Sequence, residues 1–330
     1  MSSRRQLLGG AGLLVASALT MPLASAAIAQ TSKFPRKPVL LVAPGTVGGG
    51  ADVLARLTAD AIEKSNALDE PIAVLNRPAG VEIYSFIKGK SADPHYLFTV
   101  TNLFLTYPML GPTNYTYSEF TPIANLVFDP AVVVVNAESP YKTLKDLVEA
   151  TKQKPNTITM GGGQVGTQDH LAYLTLRKAS GLDARFVGFA GGGEVHRNLL
   201  GNQIESAIGN PSDFLASVEA GKLRILAIMD EQRNQAPGLK DVATAKEQGY
   251  GANFVVFRGF AAPPKIPEAD RSAVIDLFRK VMDDKNFQEK YVLRFGMRPA
   301  FMAGDEFSKF LKDREIEYRE LLASAGVIKQ

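Results

Sequence analysis

Apolar runs that stop at glycine, each followed by a segment of helical period, set the rhythm of this chain. The first complete unit is Val39 to Arg56, V-L-L-V-A-P-G-T-V-G-G-G-A-D-V-L-A-R. Val39 to Val42 has the unbroken apolar character of a strand covered on both faces, and Pro44 ends it. Val53 to Asn66 predicts a helix with Val53, Leu54, Leu57, Ala61 and Ile62 on one face. Between them, Gly48, Gly49 and Gly50 offer backbone without Cβ atoms, so main-chain N–H groups can converge on a small anion at the positive end of the helix. The same glycines can equally make a tight turn and nothing more.

The pattern repeats along the chain. A strand at Pro71–Leu75, the turn N-R-P-A-G at Asn76–Gly80, a short helix at Ile83–Lys90 and a strand at Tyr96–Thr101 give β-α-β-α-β, the order of a parallel sheet with helices on both faces. Thr106 to Tyr115, rich in turn formers, reads as a loop, and the valine run Ala131–Asn136 as a strand. From Thr143 the grammar restarts: helix Leu144–Lys154, strand Thr157–Met160, and a glycine turn at Gly161–Leu171 into a helix ending at Ala179. Strand Arg185–Phe189 leads into a further glycine turn and helix to Gly201, then strand Ile204–Ile208, a helix to Glu219 and strand Leu223–Met229. Gly249–Phe260 is strand-like, Ala261–Pro267 is a proline-rich hinge or turn, and helices at Glu268–Asp283, Asn286–Phe295 and Gly304–Ser324 are expected to cover the first lobe. The expected architecture is α/β: two doubly wound sheets joined by a hinge with two chain crossings, near Val135 and Phe257. Residues 30–135 with 258–330 form lobe 1 and 136–257 form lobe 2. Such a hinge can close over a cleft faced by the glycine turns.

The N-terminus changes the cellular setting. Arg4 and Arg5 precede a run from Leu7 to Ala29 that is rich in Ala and Gly and free of acid, with A-x-A sites at Ala24–Ala26 and Ala27–Ala29. That is the layout of an export signal, cleaved after Ala29, by a twin-arginine or a general secretory route. Thr20, Pro22 and Ser25 interrupt the run and weigh against a membrane anchor. There is no cysteine, so disulfides, thiolate chemistry and a lipid-anchoring Cys are excluded. The 37 basic and 34 acidic residues nearly balance, and two of the basic ones lie in the leader. No basic run invites nucleic acid or an anionic membrane, and the chain is expected to act as a monomer.

Candidate chemistry is sparse. Gly161, Gly163 and Gly166 spell G-x-G-x-x-G, but Asp183 precedes the next strand instead of ending it, so the ribose-binding acid of a dinucleotide site is missing. There is no G-x-S-x-G elbow, and His95, His170 and His196 do not fall into metal-binding spacing. No catalytic residue, metal or cofactor is expected. His170 and His196 can each donate to a bound anion or simply sit on helix faces, and His95 is expected at the surface. Asp52 can complement its helix dipole, or order the turn and water around a ligand.

Several motifs in fixed order resemble one family. They are F-P-R-K-P (Phe34–Pro38), A-P-G-T-V-G-G-G-A-D (Ala43–Asp52), N-R-P-A-G, T-I-T-M-G-G-G-Q-V-G-T-Q-D-H-L (Thr157–Leu171) and V-G-F-A-G-G-G-E (Val187–Glu194). L-L-G-N (Leu199–Asn202), G-K-L-R-I-L-A (Gly221–Ala227), G-Y-G (Gly249–Gly251) and R-G-F-A-A-P-P (Arg258–Pro264) complete the set. The chain resembles the periplasmic receptors of tripartite tricarboxylate transporters, also called Bug receptors. Its G-G-G-E and N-P-S elements look closer to the tricarboxylate-binding branch. The resemblance implies a two-lobed periplasmic-binding-protein fold, type II-like, that closes over a small organic carboxylate and hands it to membrane transporter subunits. It implicates Thr46, Val47, Gly48, Gly49 and Asp52 from lobe 1, and Gly163, Thr167, His170, Gly191, Gly192 and Asn210 from lobe 2. After N-R-P the chain departs from the family: Glu82 and Tyr84 can reshape the cleft and Phe104 or Tyr107 can face it, which would admit an aromatic carboxylate beside citrate, or these four are ordinary core and surface residues. An exported hydrolase acting on a carboxylated substrate, and a sensor subunit that presents its ligand, are the alternative functions.

Overall fold

The apolar run Val39–Val42 forms the strand its composition dictates, with Val39, Leu41 and Val42 fully buried. The protein, a computed structural model, is described over residues 34–78, 81–111, 113 and 115–329. The expected export signal at 1–29 lies outside these residues, as do Ala79 and Gly80 of the N-R-P-A-G turn. Among the described residues no helix is long and apolar enough to cross a membrane.

In order come β1 (Val39–Pro44), α1 (Gly50–Lys64), β2 (Ile72–Arg77), α2 (Val81–Lys88), β3 (Tyr96–Val100), α3 (Asn102–Leu110), β4 (Thr121–Pro130) and β5 (Val132–Asn136). Next are α4 (Leu144–Gln153), β6 (Thr159–Gly163), α5 (Gln168–Ser180), β7 (Arg185–Phe189), α6 (Gly192–Leu200), β8 (Ser206–Gly209), α7 (Pro211–Glu219) and β9 (Leu223–Ile228). The chain ends with β10 (Val255–Ala262), α8 (Glu268–Asp283), α9 (Lys285–Phe287), β11 (Arg298–Ala303) and α10 (Gly304–Ser324).

Two sheets result, a six-stranded one in the order β11-β4-β10-β3-β1-β2 and a five-stranded one in the order β7-β6-β8-β5-β9. Both are mixed, where parallel sheets were expected. In the first, β1 pairs parallel with β2 and β3, while β10 runs antiparallel between β3 and β4. In the second, β6 pairs parallel with β7 and β8, and β5 is antiparallel to β8 and β9. The reversed strands are β5 and β10, by which the chain enters each sheet from the other, and β11 of the tail, which runs antiparallel to β4. Val132–Asn136 belongs to the second sheet, so the first crossing falls at Ala131, before the expected Val135. The return strand joins the first sheet from Val255, ahead of Phe257. The two crossings are tied together: Ala131 N–H donates to Phe254 C=O at 3.1 Å, and Met229 N–H donates to Ala131 C=O at 2.8 Å.

Other departures have a common cause in burial. Thr106–Leu110, expected as loop, is the last part of α3, with Pro108 inside it. Phe104 and Leu105 are buried in an aromatic cluster with Tyr84, Phe98, Tyr115 and Phe120, and that packing outweighs local turn propensity. The tail adds β11 to the first sheet, and after Lys285–Phe287 the expected helix continues as a π-helix, Gln288–Leu293. Helix α10 packs against β4 and α3 and also against α5 of the second sheet, so it straps the hinge as well as covering the first lobe. Tyr318 on it packs against Phe254 beside the crossing.

Candidate ligand-binding cleft

Every parallel strand in both sheets delivers its chain at its carboxyl end into a loop that opens a helix, and in open α/β sheets that is the edge where ligands bind. The ends of β1, β3, β6, β7 and β8 meet around a cleft of about 410 Å³. Helices α1, α3, α5, α6 and α7 all begin at this cleft, and none of the five has a side-chain cap on its N-terminal N–H groups. By contrast α4 is closed by a capping box, in which Thr143 accepts from Asp146 N–H and Asp146 accepts from Thr143 N–H. Uncapped first-turn N–H groups from both sheets thus share one space, and each helix end carries roughly half a positive charge.

The first sheet's wall carries Pro44, Gly50, Ala51, Tyr84, Thr99, Thr101, Leu103 and Tyr107. Facing them from the second sheet are Gly163, Gln164, Thr167, Gln168, Asp169, Ala190, Gly191, Gly192, Asn210, Ser212 and Asp213. Arg258 on β10 forms the floor. Its Nε donates to Asp129 Oδ2 at 2.9 Å and its Nη2 donates to the same oxygen, while the whole of Asp129 is buried. Burial pushes the Asp129 carboxyl up and opposes the Arg258 charge, but Asp129 more than restores the latter, so the guanidinium stays charged. Its Nη1 has no protein acceptor among the described residues and lies where a Cβ at Gly50 would be 2.8 Å away, at the N-terminus of α1.

Of the expected site residues, Gly163, Thr167, Gly191, Gly192 and Asn210 line this cleft. Thr46, Val47, Gly48 and Gly49 do not; they form an outer rim on which Val47 is 71% exposed. The first loop contributes its later residues, Gly50 and Ala51, while Gly45 at φ +101° and Gly48 at φ +82° frame the exposed turn that carries the earlier ones. Asp52 also faces away. Its Oδ2 accepts from Gly48 N–H at 2.8 Å and from Arg56 Nε at 2.9 Å; burial alone would raise its carboxyl, yet these bonds hold it below the usual range. Asp52 thus ties the turn at Gly48 to the first turn of α1. His170 points behind the cleft, packed at a tilt on Phe186 and stacked near Tyr173, accepting from Gly166 N–H at 3.3 Å, with burial pushing it down to about 4. His196 pairs with Ser217 Oγ at 2.8 Å. His95, expected at the surface, is buried, and its Nε2 accepts from Arg36 N–H at 2.9 Å, anchoring the F-P-R-K-P segment. Tyr84 and Tyr107 reach the cleft, whereas Phe104 is core and Glu82 is exposed outside it.

The charged groups that line the cleft escaped the sequence reading. An arginine inside V-V-F-R-G-F-A-A and an acid closing L-V-F-D-P were the available signal, since a charge in an otherwise buried strand requires a partner. Asp169 accepts from Gly163 N–H at 2.7 Å; burial first, and then Asp213 and Asp129, push it up to about 7. Asp213 lies open to the cleft, where water moderates the effect, yet surrounding protein and then Asp129 push it up to about 6.

A hinged pair of mixed α/β sheets with one cleft at their carboxyl edges defines a two-lobed solute-binding protein. Residues 54–327 match the tripartite tricarboxylate transporter family receptor (TctC), and the chain belongs to that family. It is similar to the UPF0065 protein in the gbd 5′ region of Cupriavidus necator, 29% identical over 329 residues and 99% of both chains. It is similar also to BugT of Bordetella pertussis, 26% identical over 98% of this chain and 97% of that protein. Among solved structures, a ligand-free TctC solute-binding protein from Polaromonas matches with a TM-score of 0.76 at 27% identity, over 88% of this chain and 99% of that one. A protein of R. palustris solved with adipate matches at 0.75 and 22% identity, over 89% and 99%.

Proposed function

We propose that this chain is a periplasmic receptor, exported by its N-terminal signal, that captures a small organic carboxylate between its lobes and delivers it to a tripartite tricarboxylate-type membrane transporter. The observation that carries the reading is the convergence of five uncapped helix N-termini, contributed by both sheets, on one cleft with a fixed guanidinium at its floor. Such N–H groups satisfy carboxylate oxygens without a dedicated cation for each. The binding residues proposed are Gly50, Ala51 and Arg258 at the first lobe and floor, with Gly163, Thr167, Gly191, Gly192 and Asn210 on the second. A ligand that touches both walls stabilises the closed form by its contacts with each, which is how binding becomes a signal to a transporter. Tyr84, Tyr107 and Leu103 give the first wall an apolar stretch that suits a ligand's carbon skeleton, aliphatic or aromatic. The adipate held by the R. palustris protein supports a dicarboxylate.

An exported hydrolase is the second reading, and the raised carboxyls of Asp169 and Asp213 are what favour it. The receptor reading is tested by thermal shift with adipate, citrate and benzoate, followed by recovery of the ligand. Selective stabilisation of about 2.7 kcal/mol is expected at a hundredfold excess over the dissociation constant, with the ligand recovered unchanged. Stabilisation by uncharged compounds alone, or conversion of a ligand, would refute it.

A further inference from the structure

Behind the cleft, along α5, lies an open pocket of about 530 Å³ whose lining shares no residue with the cleft. It is bounded by α5, by β7 at the outer edge of the second sheet and by Ala325 just past α10. Here α5 presents His170, Tyr173, Leu174 and Arg177, the spacing of one helix face, over about 10 Å. Phe186 of β7 closes the aromatic side, its ring centroid 4.9 Å from that of His170 and 5.0 Å from that of Tyr173. Thr167, Gln168 and Asp169, just before this stripe, line the cleft, so the helix divides the two pockets.

Two polar groups of this lining are committed elsewhere: Tyr173 Oη donates to Ala184 C=O at 2.6 Å, and Arg185 also acts on Glu205. His170 is committed at one nitrogen only. It is 6% exposed, and its Nδ1 accepts from Gly166 N–H, which puts the proton of the neutral ring on Nε2. That Nε2–H has no acceptor among the described residues, and a buried donor at the wall of an open pocket calls for one. At the other end of the stripe Arg177 is exposed, with no acid at ion-pair distance among the described residues. Arg177 and Asp183 both act on the Tyr173 hydroxyl, and Asp183 is the one acid in a lining that holds two arginines, so the pocket is net cationic.

We propose that this stripe of α5 is a second ligand site, for a flat aromatic carboxylate that carries a hydrogen-bond acceptor at the far end of its ring. The carboxylate pairs with Arg177, the ring lies against Tyr173 and Phe186, and the far acceptor takes the Nε2–H of His170. An aliphatic carboxylate offers nothing to the rings between the two polar ends, which separates the preference of this site from that of the cleft.

The chain has three histidines, so the ring signals of isotope-labelled histidine in an NMR titration report on His170 with His95 and His196 as internal controls. The probes are benzoate, para-hydroxybenzoate, para-acetylbenzoate and, as a ring without π electrons, cyclohexanecarboxylate. The aromatic acids are expected to move the His170 signals and leave those of His95 and His196 in place, both in the unaltered protein and in Gly191→Leu, whose cleft is filled. The para-substituted acids should bind about fivefold tighter than benzoate, the size of one neutral hydrogen bond, and cyclohexanecarboxylate weakest of all. Arg177→Gln, at an exposed position where folding is not at stake, should weaken every aromatic acid by about threefold, as for an exposed ion pair. His170 signals that stay still with every aromatic acid at millimolar concentration, or that move only while the cleft is open, would overturn the site. Benzoate binding as tightly as its para-substituted relatives would overturn the part given to His170, and unchanged affinity in Arg177→Gln the part given to Arg177.

Discussion

Gly161–Gly163 and Gly191–Gly193 are the same three letters in the same sheet, and they do opposite things. The first triplet is the end of β6 and buried, with only Gly163 reaching the cleft wall. A Cβ at Gly161 would strike Ile204 and Phe189, and one at Gly162 would press on Phe186 and Asp169, so these glycines let a strand and its covering side chains pack closely. The second triplet opens α6 at the cleft. A Cβ at Gly191 meets nothing within 4 Å, and its φ of 175° is extended backbone that any residue adopts. A glycine can therefore be required by its neighbours' volume or by the volume a ligand needs, and the letters alone do not distinguish the two.

Substitutions in the two triplets should separate these roles. Gly161→Val is expected to destabilise the protein by about 1–3 kcal/mol through overpacking, read from the midpoint of urea unfolding. Little or no loss would mean the interior around β6 has slack.

A titration sharpens the contrast, because Asp169 leans on the packed triplet through its bond from Gly163 N–H. Its carboxyl is pushed up to about 7 in the folded protein from an ordinary 3.8, so the folded state holds a proton that the unfolded chain releases first. Its contribution is fully present below about pH 4 and is lost as pH rises toward 7, at a slope of at most about 1.4 kcal/mol per pH unit. His170, pushed down to about 4, acts in the opposite direction over the lower part of the window. The difference in stability between the unaltered protein and Asp169→Asn from pH 5 to 8 therefore isolates the aspartate. A difference that does not change with pH would show that Asp169 is ionised throughout.

The smallest effect on stability belongs to Gly191, the open end of the second triplet. Gly191→Leu should alter folding by less than about 0.5 kcal/mol, while its side chain fills the cleft and abolishes the carboxylate-dependent thermal shift. Loss of stability without loss of binding would place Gly191 in the scaffold.

The sequence was enough for the layered α/β class, most elements and the second-lobe glycine loops, because strands and helices announce themselves in apolar period and glycine marks where backbone must come close. Gly163, Thr167, Gly191, Gly192 and Asn210 were named through the family resemblance carried by those loops. The direction each loop takes was settled only by tertiary structure: Thr46 and Val47 lie exposed between Gly45 and Gly48, both at positive φ, and Asp52 is held by the Gly48 N–H. Helix α3 formed against its turn-rich letters because burial of Phe104 outweighs local preference. The charges of the cleft were also beyond sequence reach, since Asp129, Arg258 and Asp213 come from three distant segments. What an ionisable side chain does depends on which other charges and which open space the fold sets beside it, and that is a property of three dimensions.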